Sequence, residues 1–383
     1  MIVGIDIRVL GSEVKSGIEE YTENLLTHLL PLDKSIKFKL FFSSFKGEIK
    51  KYDWLSLKNV ELYKFKIPNR FLFLSSGLVN SPKIDKMMGG VDVFFSPHFF
   101  LTSLSSACKR VTTFHDLSYI HYPELFLLRQ RIWHNFEMNP SWQSRFSDKI
   151  ISVSESTKND LVKIYGIDPA KIEVIYSGIS QNMKRPSVDE LHKFKIKNNL
   201  PDKFILFLGK LEPRKNIRGL VQAFNAVKDK RNSPDLKLII VGSKGWLYDD
   251  IFKEIGNSAY RGNIVLKSFI PDEERKFYHG LAEVFVYPSL FEGFGFPPLE
   301  AMACGTPVIV SNSSSLPEIV GNAGLLVKPN NIEEIADLIS LILSDRKLRD
   351  QIVSFGYSRA EYFNWNKTAE KTLNCLLSSS DKN

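Results

Sequence analysis

Cysteine is scarce in this chain: Cys108, Cys304 and Cys375 are the only three in 383 residues, far apart and odd in number. They exclude a disulfide-framed scaffold and the close pairs of a zinc site, and they suit a reducing compartment. Long apolar runs are missing too. No stretch reaches the roughly 20 apolar residues needed to span a bilayer. Asp6 interrupts the apolar start MIVGIDIRVLG, which also lacks the basic flank of a secretory leader. No two aspartates stand two positions apart, so a common two-carboxylate metal clamp is absent. Gly-x-x-x-x-Gly-Lys-[Ser/Thr], Gly-x-Ser-x-Gly and a Gly-x-Gly-x-x-Gly after a strand are also absent. Those absences remove the phosphate-loop, hydrolase-elbow and dinucleotide-fingerprint readings.

What is present is an ordinary globular composition, 43% hydrophobic and 25% charged, in a chain longer than one hydrophobic core usually serves. Two domains are the expectation. The formal net charge is +8, with KFK at 37–39 and 64–66, Lys50-Lys51 and Lys109-Arg110 adding to the first half. Such an excess suits polyanionic small substrates, an anionic lipid surface or nucleic acid. No nucleic-acid module accompanies it, so that partner ranks last. The stretch NRFLFLSSGLV at 69–79 sets Arg70 among Phe71, Leu72, Phe73 and Leu74. It fits either a core element with solvated lysines around it or a surface that rests on lipid headgroups.

Short apolar or β-branched runs alternate with amphipathic stretches along the whole chain. The first half offers strands at 2–7, 37–42, 92–96, 110–114, 149–153 and 172–176; the second at 203–209, 236–241, 263–268, 283–288, 306–311 and 324–327. Helical patterns lie between them, such as 218–229 and 332–343, the latter with Asn331 as N-cap and Glu334 three residues on. This alternation predicts an α/β protein of two Rossmann-like, doubly wound parallel-sheet domains. The polar segment 177–202, with Pro186 and Pro201, separates the two series. The expected division is residues 1–182 and 183–361, facing across a cleft, with a last helix at about 362–383 packing back on the first domain. Ligands of such sheets bind beyond the carboxyl ends of the strands.

Four segments at strand ends carry candidate chemistry. In YPSLFEGFGFPPLEAMACGTPVIVS (287–311) a strand ends at Pro288. A loop then holds Glu292, Gly293, Phe294 and Gly295, and a helix starts at Pro297 or Pro298 with Glu300 in its first turn. Glycines let a backbone approach a ligand, and a helix N-terminus offers free N–H groups to an anion. The bare Glu-x7-Glu spacing says nothing, because 23 glutamates give roughly one such pair by chance; the whole string is what speaks. In FILFLGKLEPRKNIRGLVQAF (204–224), Arg214 and Lys215 precede a helix, as a diphosphate site requires. A pair of solvated cations is the plain alternative. In SGIEEYTENLLTHLL (16–30), Ser16 and Glu19 have capping-box spacing, and Gly17 permits close approach at a helix start. In TFHDLSYIHYPE (113–124), His115 and Asp116 follow a strand, Asp116 being placed to orient the ring.

Taken in order, GIDIR…SGIEEYTENLL, FHDLSYIHYPE, ISVSESTKNDL, FLGKLEPRKNIRGLVQAF, SLFEGFGFPPLEAMACGTPVI and SSLPEIVGNAGLLVKP span nearly the whole chain. Together they resemble glycosyltransferase family 4, in particular bacterial mannosyltransferases of O-antigen and exopolysaccharide assembly. The resemblance implies a GT-B fold and a retaining hexosyltransferase that needs no metal or other cofactor. The implied donor is a nucleotide-diphosphate sugar, GDP-mannose by best match, and the implied acceptor a glycan or lipid-linked glycan. It implies that Glu300 grips ribose hydroxyls, that Glu292 with Gly293, Phe294 and Gly295 holds the hexose, and that Arg214 and Lys215 bind the diphosphate with help from Gly17. Phe269 and Ile270 would border the base, and His115 would sit beside the transferred sugar. A cytoplasmic enzyme, peripheral on the inner face of the cytoplasmic membrane, is the implied setting. A nucleotide-sugar 2-epimerase of the same architecture and a non-catalytic sugar-nucleotide-binding partner remain as alternatives.

Overall fold

The computed structural model of the chain describes residues 1–11, 17–45, 47–98, 100–231 and 233–380. Ser16, the proposed cap, lies outside them. The chain forms two compact units. The first comprises 1–119, 128–178 and 364–383; the second comprises 120–127 and 179–363.

The first unit is built on a seven-stranded, all-parallel sheet. Its strands are β1 (Ile2–Asp6), β2 (Lys37–Ser43), β3 (Val60–Phe65), β4 (Val93–Ser96), β5 (Lys109–Phe114), β6 (Lys149–Ser152) and β7 (Ile172–Val174), in spatial order β3-β2-β1-β4-β5-β6-β7. Parallel strands need crossovers that cover both faces, and the central runs are buried accordingly: Val3, Ile5, Phe94, Phe95, Val111 and Ile151 have no exposed surface. One strand was not predicted. β3 (VELYKF) alternates polar and apolar residues because it is the sheet edge, paired with β2 alone. The final helix, Trp365–Ser380, lies against the Gly17–Leu29 helix and against β4, β5 and β6, and the Thr368 hydroxyl donates to the Tyr176 carbonyl at 2.8 Å. A side chain at Gly178 would come within 2.3 Å of the Trp365 nitrogen, so the returning chain requires glycine there.

The second unit carries a six-stranded parallel sheet of β8 (Lys203–Leu208), β9 (Leu236–Val241), β10 (Ile264–Lys267), β11 (Val284–Tyr287), β12 (Val308–Ser311) and β13 (Gly324–Val327). Their order is β10-β9-β8-β11-β12-β13. The chain winds outward in two directions from β8 and β11, and crossovers of such parallel strands are right-handed as a rule. The Ile217–Lys230 helix packs on the Ile332–Ser344 helix, and the Phe296–Ala303 helix on the Arg346–Tyr362 helix. Asn331 caps as expected, its side chain accepting from the Glu334 N–H. The polar segment 177–202 also hides a helix, Val188–Lys197, closed by a reciprocal Ser187–Glu190 capping box.

One short stretch departs from chain order. Residues 120–127 sit in the second unit, although both flanks belong to the first. The His121 ring stacks on Phe291 at 4.9 Å, Phe126 stacks on Trp246 at 5.5 Å, and the Trp246 indole donates to the Leu125 carbonyl at 2.7 Å.

Candidate active site

In the second sheet the strand order reverses between β8 and β11, and the loops leaving those two strands carry the predicted residues. After β8, Pro213–Lys215 forms one 3-10 turn, and Asn216, in a left-handed conformation, caps the following helix through the Gly219 N–H. After β11 come Ser289 to Gly295, and Gly295 opens the next helix. Gly295 has φ 118°, and a Cβ there would lie 2.8 Å from Leu316, so conformation and space both demand glycine.

These loops interlock. The Lys215 ammonium donates to Glu292 Oε1 at 2.6 Å and to the Tyr287 hydroxyl at 2.8 Å. Arg214 Nη1 donates to the Phe291 carbonyl at 2.8 Å and lies 3.5 Å from Glu292 Oε2, while its Nη2 donates to Glu212 Oε1 at 2.9 Å. The Ser289 hydroxyl donates to Glu292 Oε1, and the Glu292 N–H donates to the Ser314 hydroxyl at 2.7 Å. The Ser315 hydroxyl donates to the carbonyls of Glu292 and Phe294 at 3.0 and 2.7 Å. Glu292 and Lys215 are buried.

Burial alone would raise the Glu292 pKa, but Lys215 and Arg214 overcome it and hold the carboxyl below its usual range. Burial, with Arg214 beside it, lowers that of Lys215. Two cations and two carboxylates therefore form one nearly neutral cluster, pre-arranged rather than loosely solvated. Oε2 faces Arg214 beyond normal hydrogen-bond length, which leaves it able to accept from a ligand hydroxyl.

Glu300 stands elsewhere than expected. The helix begins at Phe296, so Glu300 falls after its first turn, which holds no acidic residue. The side chain is buried against the Asp272–Leu281 helix. Arg275 donates to its Oε1 at 2.7 Å, and His279 Nε2 lies 3.6 Å from its Oε2. Oε2 and both His279 ring nitrogens are buried without a hydrogen-bond partner among the described residues. Phe269 and Ile270 precede that same helix, the first exposed and the second buried. Glu300, Phe269 and Ile270 are thus joined through one element, the Asp272–Leu281 helix. Phe294 is buried, edge-on to Phe363 at 5.6 Å.

Gly17 and His115 belong to the first unit. Gly17 starts its helix in open space, where a Cβ would meet nothing within 4 Å. His115 follows β5; its Nε2 lies 2.8 Å from the Pro97 carbonyl, and Tyr21 packs edge-on at 4.8 Å. Burial lowers its pKa to about 4. The Asp116 carboxylate accepts from the Ser118 N–H and hydroxyl, so it caps the next turn, and the His115 ring is fixed by Pro97.

Sequence reasoning missed several residues. Glu212, which clamps Arg214, stood in the quoted string KLEPRK. Ser314 and Ser315 follow β12, and the run Ser313–Ser315 after a strand end was the available signal. Ser314 has φ 51°, a conformation uncommon for serine and held here at the Glu292 backbone. In the first unit the sheet reverses between β1 and β4, and there Asp6, Arg8 and His98 meet unpredicted. Arg8 Nη2 lies 2.6 Å from Asp6 Oδ2, and His98 Nε2 lies 3.6 Å from Asp6 Oδ1. Beside the second-unit cluster is a cavity of about 490 Å³ lined by Glu124, Leu125, Arg218, Gln222, Asp250 and Leu290, among others.

Comparison with known proteins follows this division. The family described as Glycosyltransferase Family 4 matches residues 15–182, and Glycosyl transferases group 1 matches residues 188–359. The chain is 32% identical to O-antigen chain mannosyltransferase B of Escherichia coli, over 74% of this chain and 73% of that protein. It is 27% identical to the E. coli serotype-specific mannosyltransferase WbdA, spanning 69% of this chain but about a third (33%) of that longer protein. Among solved structures, sucrose-phosphate synthase from Thermosynechococcus elongatus superposes with a TM-score of 0.77 at 20% identity, covering 99% of this chain and all of that one. HepE from Anabaena, solved with UDP and glucose, superposes at 0.72 and 19%, covering 99% of this chain and all of that one.

Proposed function

The chain belongs to glycosyltransferase family 4, and from that premise we propose that it is a retaining, metal-independent hexosyltransferase of cell-surface polysaccharide assembly. The donor is a nucleotide-diphosphate sugar, with GDP-mannose the assignment favoured by its mannosyltransferase relatives. The acceptor is a glycan or lipid-linked glycan. The observation that carries the reading is the buried Lys215–Glu292–Arg214 constellation at the sheet reversal, beside a helix N-terminus.

Cleavage of the bond between the anomeric carbon and the diphosphate leaves an oxocarbenium-like sugar and a multiply charged anion. Arg214, Lys215 and the N–H groups at the start of the Phe296–Ala303 helix stabilise that charge where it grows. Glu292 has two duties in this scheme: it fixes both cations and accepts from a hexose hydroxyl. Its Oε1 is engaged by Lys215 and Ser289 and its Oε2 faces Arg214, which leaves Oε2 to accept the hydroxyl and suits a positioning acceptor better than a covalent nucleophile. Transfer then proceeds on the front face, the departing phosphate oxygen taking the acceptor hydroxyl's proton. Glu300 with its unpartnered oxygen serves the ribose, Phe269 and Ile270 the base, and Gly17 and His115 keep their family-implied roles at the diphosphate and sugar.

The test is product analysis with purified protein, GDP-mannose and a lipid-linked glycan acceptor, with and without EDTA. Acceptor mannosylation with an unchanged anomeric configuration, insensitive to EDTA, is expected. Inversion, loss of turnover in EDTA, or a new sugar nucleotide formed without acceptor would overturn it, the last favouring an epimerase. A thermal-shift panel of GDP, UDP and ADP identifies the base, since a ligand of the native state alone raises the melting temperature.

A further inference from the structure

The cavity of about 490 Å³ beside the Lys215–Glu292–Arg214 constellation takes no part in the chemistry above, and every residue lining it belongs to the second unit. It shares its walls with that constellation. Pro213 and Asn216, which line it, bracket Arg214 and Lys215; Leu290, which also lines it, donates its N–H to the Arg214 carbonyl at 2.8 Å. The Ile217–Lys230 helix at its side packs on the Asp249–Asn257 and Ile332–Ser344 helices. Glu300's helix packs instead on the Asp272–Leu281 and Arg346–Tyr362 helices. The cavity thus lies in a different helix layer from the residues assigned to the nucleotide.

Its lining suits a neutral polyol. The charged side chains in it are Glu124, Arg218 and Asp250; Lys253 and Glu254, which pair with Asp250 and Arg218 at 3.2 and 3.6 Å, cancel each other. The balance is acidic and opposes a diphosphate or any other anion. Glu124, Gln222 and Asn330 make no side-chain hydrogen bond or ion pair among the described residues. A carboxylate and two amides can therefore both accept from and donate to hydroxyls. Ile217, Ile251 and Ile332 supply apolar surface on which the C–H face of a sugar ring can rest. Such a mix, in a volume within the range of roughly 300–1,000 Å³, is that of a small-ligand site.

Two features mark the cavity as built. Leu247, which lines it, has φ 50° and is 44% exposed. A leucine in the left-handed region is strained, and such strain persists where the surroundings fix it, above all at ligand sites. The excursion of residues 120–127 supplies Glu124 and Leu125, and Trp246, next to Leu247, holds Leu125 through its indole hydrogen bond. We propose that this cavity is an acceptor subsite, holding a neutral sugar unit of the acceptor glycan behind the hydroxyl that is glycosylated. Naming the occupant as acceptor rests on the transferase reading; the binding of a neutral glycan there does not.

Titration calorimetry of the full chain with mannotetraose and with maltotetraose reads binding apart from turnover. At least one should bind, and binding should persist in saturating GDP. The double substitution Glu124→Ala and Gln222→Ala should weaken it roughly tenfold or more. The melting temperature should hold, because neither side chain has a partner in the native structure. In turnover the same variant should lower the ratio of kcat/KM for mannotetraose to that for methyl α-mannoside roughly tenfold, since the short acceptor does not reach the cavity. Binding of neither tetraose, full binding by the variant, displacement by GDP, or an equal loss of kcat/KM on both acceptors would each overturn the proposal. Tetraose binding that the variant loses, with no transfer to any acceptor, would sink the transferase reading and the acceptor's name with it while sustaining the glycan site.

Discussion

Each unit gathers charge at the point where its sheet reverses, yet the two clusters are finished differently. In the first unit Asp6, Arg8 and His98 are sealed. All three are buried, the guanidinium lies about 5.5 Å from the rings of Phe41, Phe73 and Phe100, and despite the cost of burial Arg8 and His98 hold the Asp6 carboxyl far below its ordinary range. In the second unit Arg214 and Lys215 are braced by Glu212, Glu292, Ser289 and Tyr287 on loops whose backbone is strained at Ser314 and open at Gly295. An ion pair enclosed by aromatic rings shapes a strand end. Cations braced beside a helix start can turn toward an arriving anion. Equal chemistry at equal topological positions thus serves structure in one unit and, in our reading, turnover in the other.

The sharpest way to break that contrast is to exchange the effects. Replacing Arg214 and Lys215 together with Ala should lower kcat/KM roughly 10³-fold or more, about 4 kcal/mol of lost transition-state stabilisation. An unchanged rate in steady-state assays would end the assignment of charge relief to this cluster. Asp6→Ala should act on stability instead, costing about 3–5 kcal/mol in urea denaturation because Arg8 is left buried without its partner. If it lowers turnover as steeply at temperatures where the variant stays folded, the first-unit cluster is catalytic and the contrast fails.

A third effect belongs to His115. Its pKa is about 4 when folded and about 6.5 when unfolded, so between those values the unfolded chain binds the extra proton. Stability should therefore be full above about pH 6.5 and fall by up to about 3 kcal/mol as pH drops toward 4. His115→Gln should flatten that part of the pH–stability curve; an identical slope would show that other groups produce it. Gly295→Ala should cost about 1–3 kcal/mol and weaken donor binding, from the left-handed backbone and the contact with Leu316. Calorimetry of nucleotide binding reads the second part, and wild-type affinity would remove Gly295 from the donor loop. The smallest effect is Trp246→Phe, which deletes one hydrogen bond to Leu125 and should cost about 1 kcal/mol in denaturation while keeping the ring stack on Phe126. A larger loss would mean that the 120–127 segment holds the second unit together.

Twelve of the thirteen strands among the described residues were read from their apolar or β-branched runs, most plainly the central ones, since a strand covered on both faces must be apolar along its length. The edge strand Val60–Phe65 escaped because half its surface meets solvent and its pattern resembles a charged loop. Arg214, Lys215, Glu292 and Gly295 were legible because strand–loop–helix boundaries confine what can stand there. Ser314, Ser315 and His98 were not, since their partners lie on elements distant in the chain and hydroxyls leave no periodic signal; Glu212, Asp6 and Arg8 have partners two residues away, but a single charge beside another does not show from sequence which of the two it holds.

By itself the sequence determined the alternation of buried strands and amphipathic helices, the two-domain plan and the residue types at the strand ends. These follow from local periodicity and backbone chemistry, which each segment carries alone. Only the tertiary structure decided that Lys215 faces Glu292, that Glu300 is held by Arg275, and that residues 120–127 join the second unit. Those outcomes depend on which burials exclude water together, and no segment specifies that in isolation.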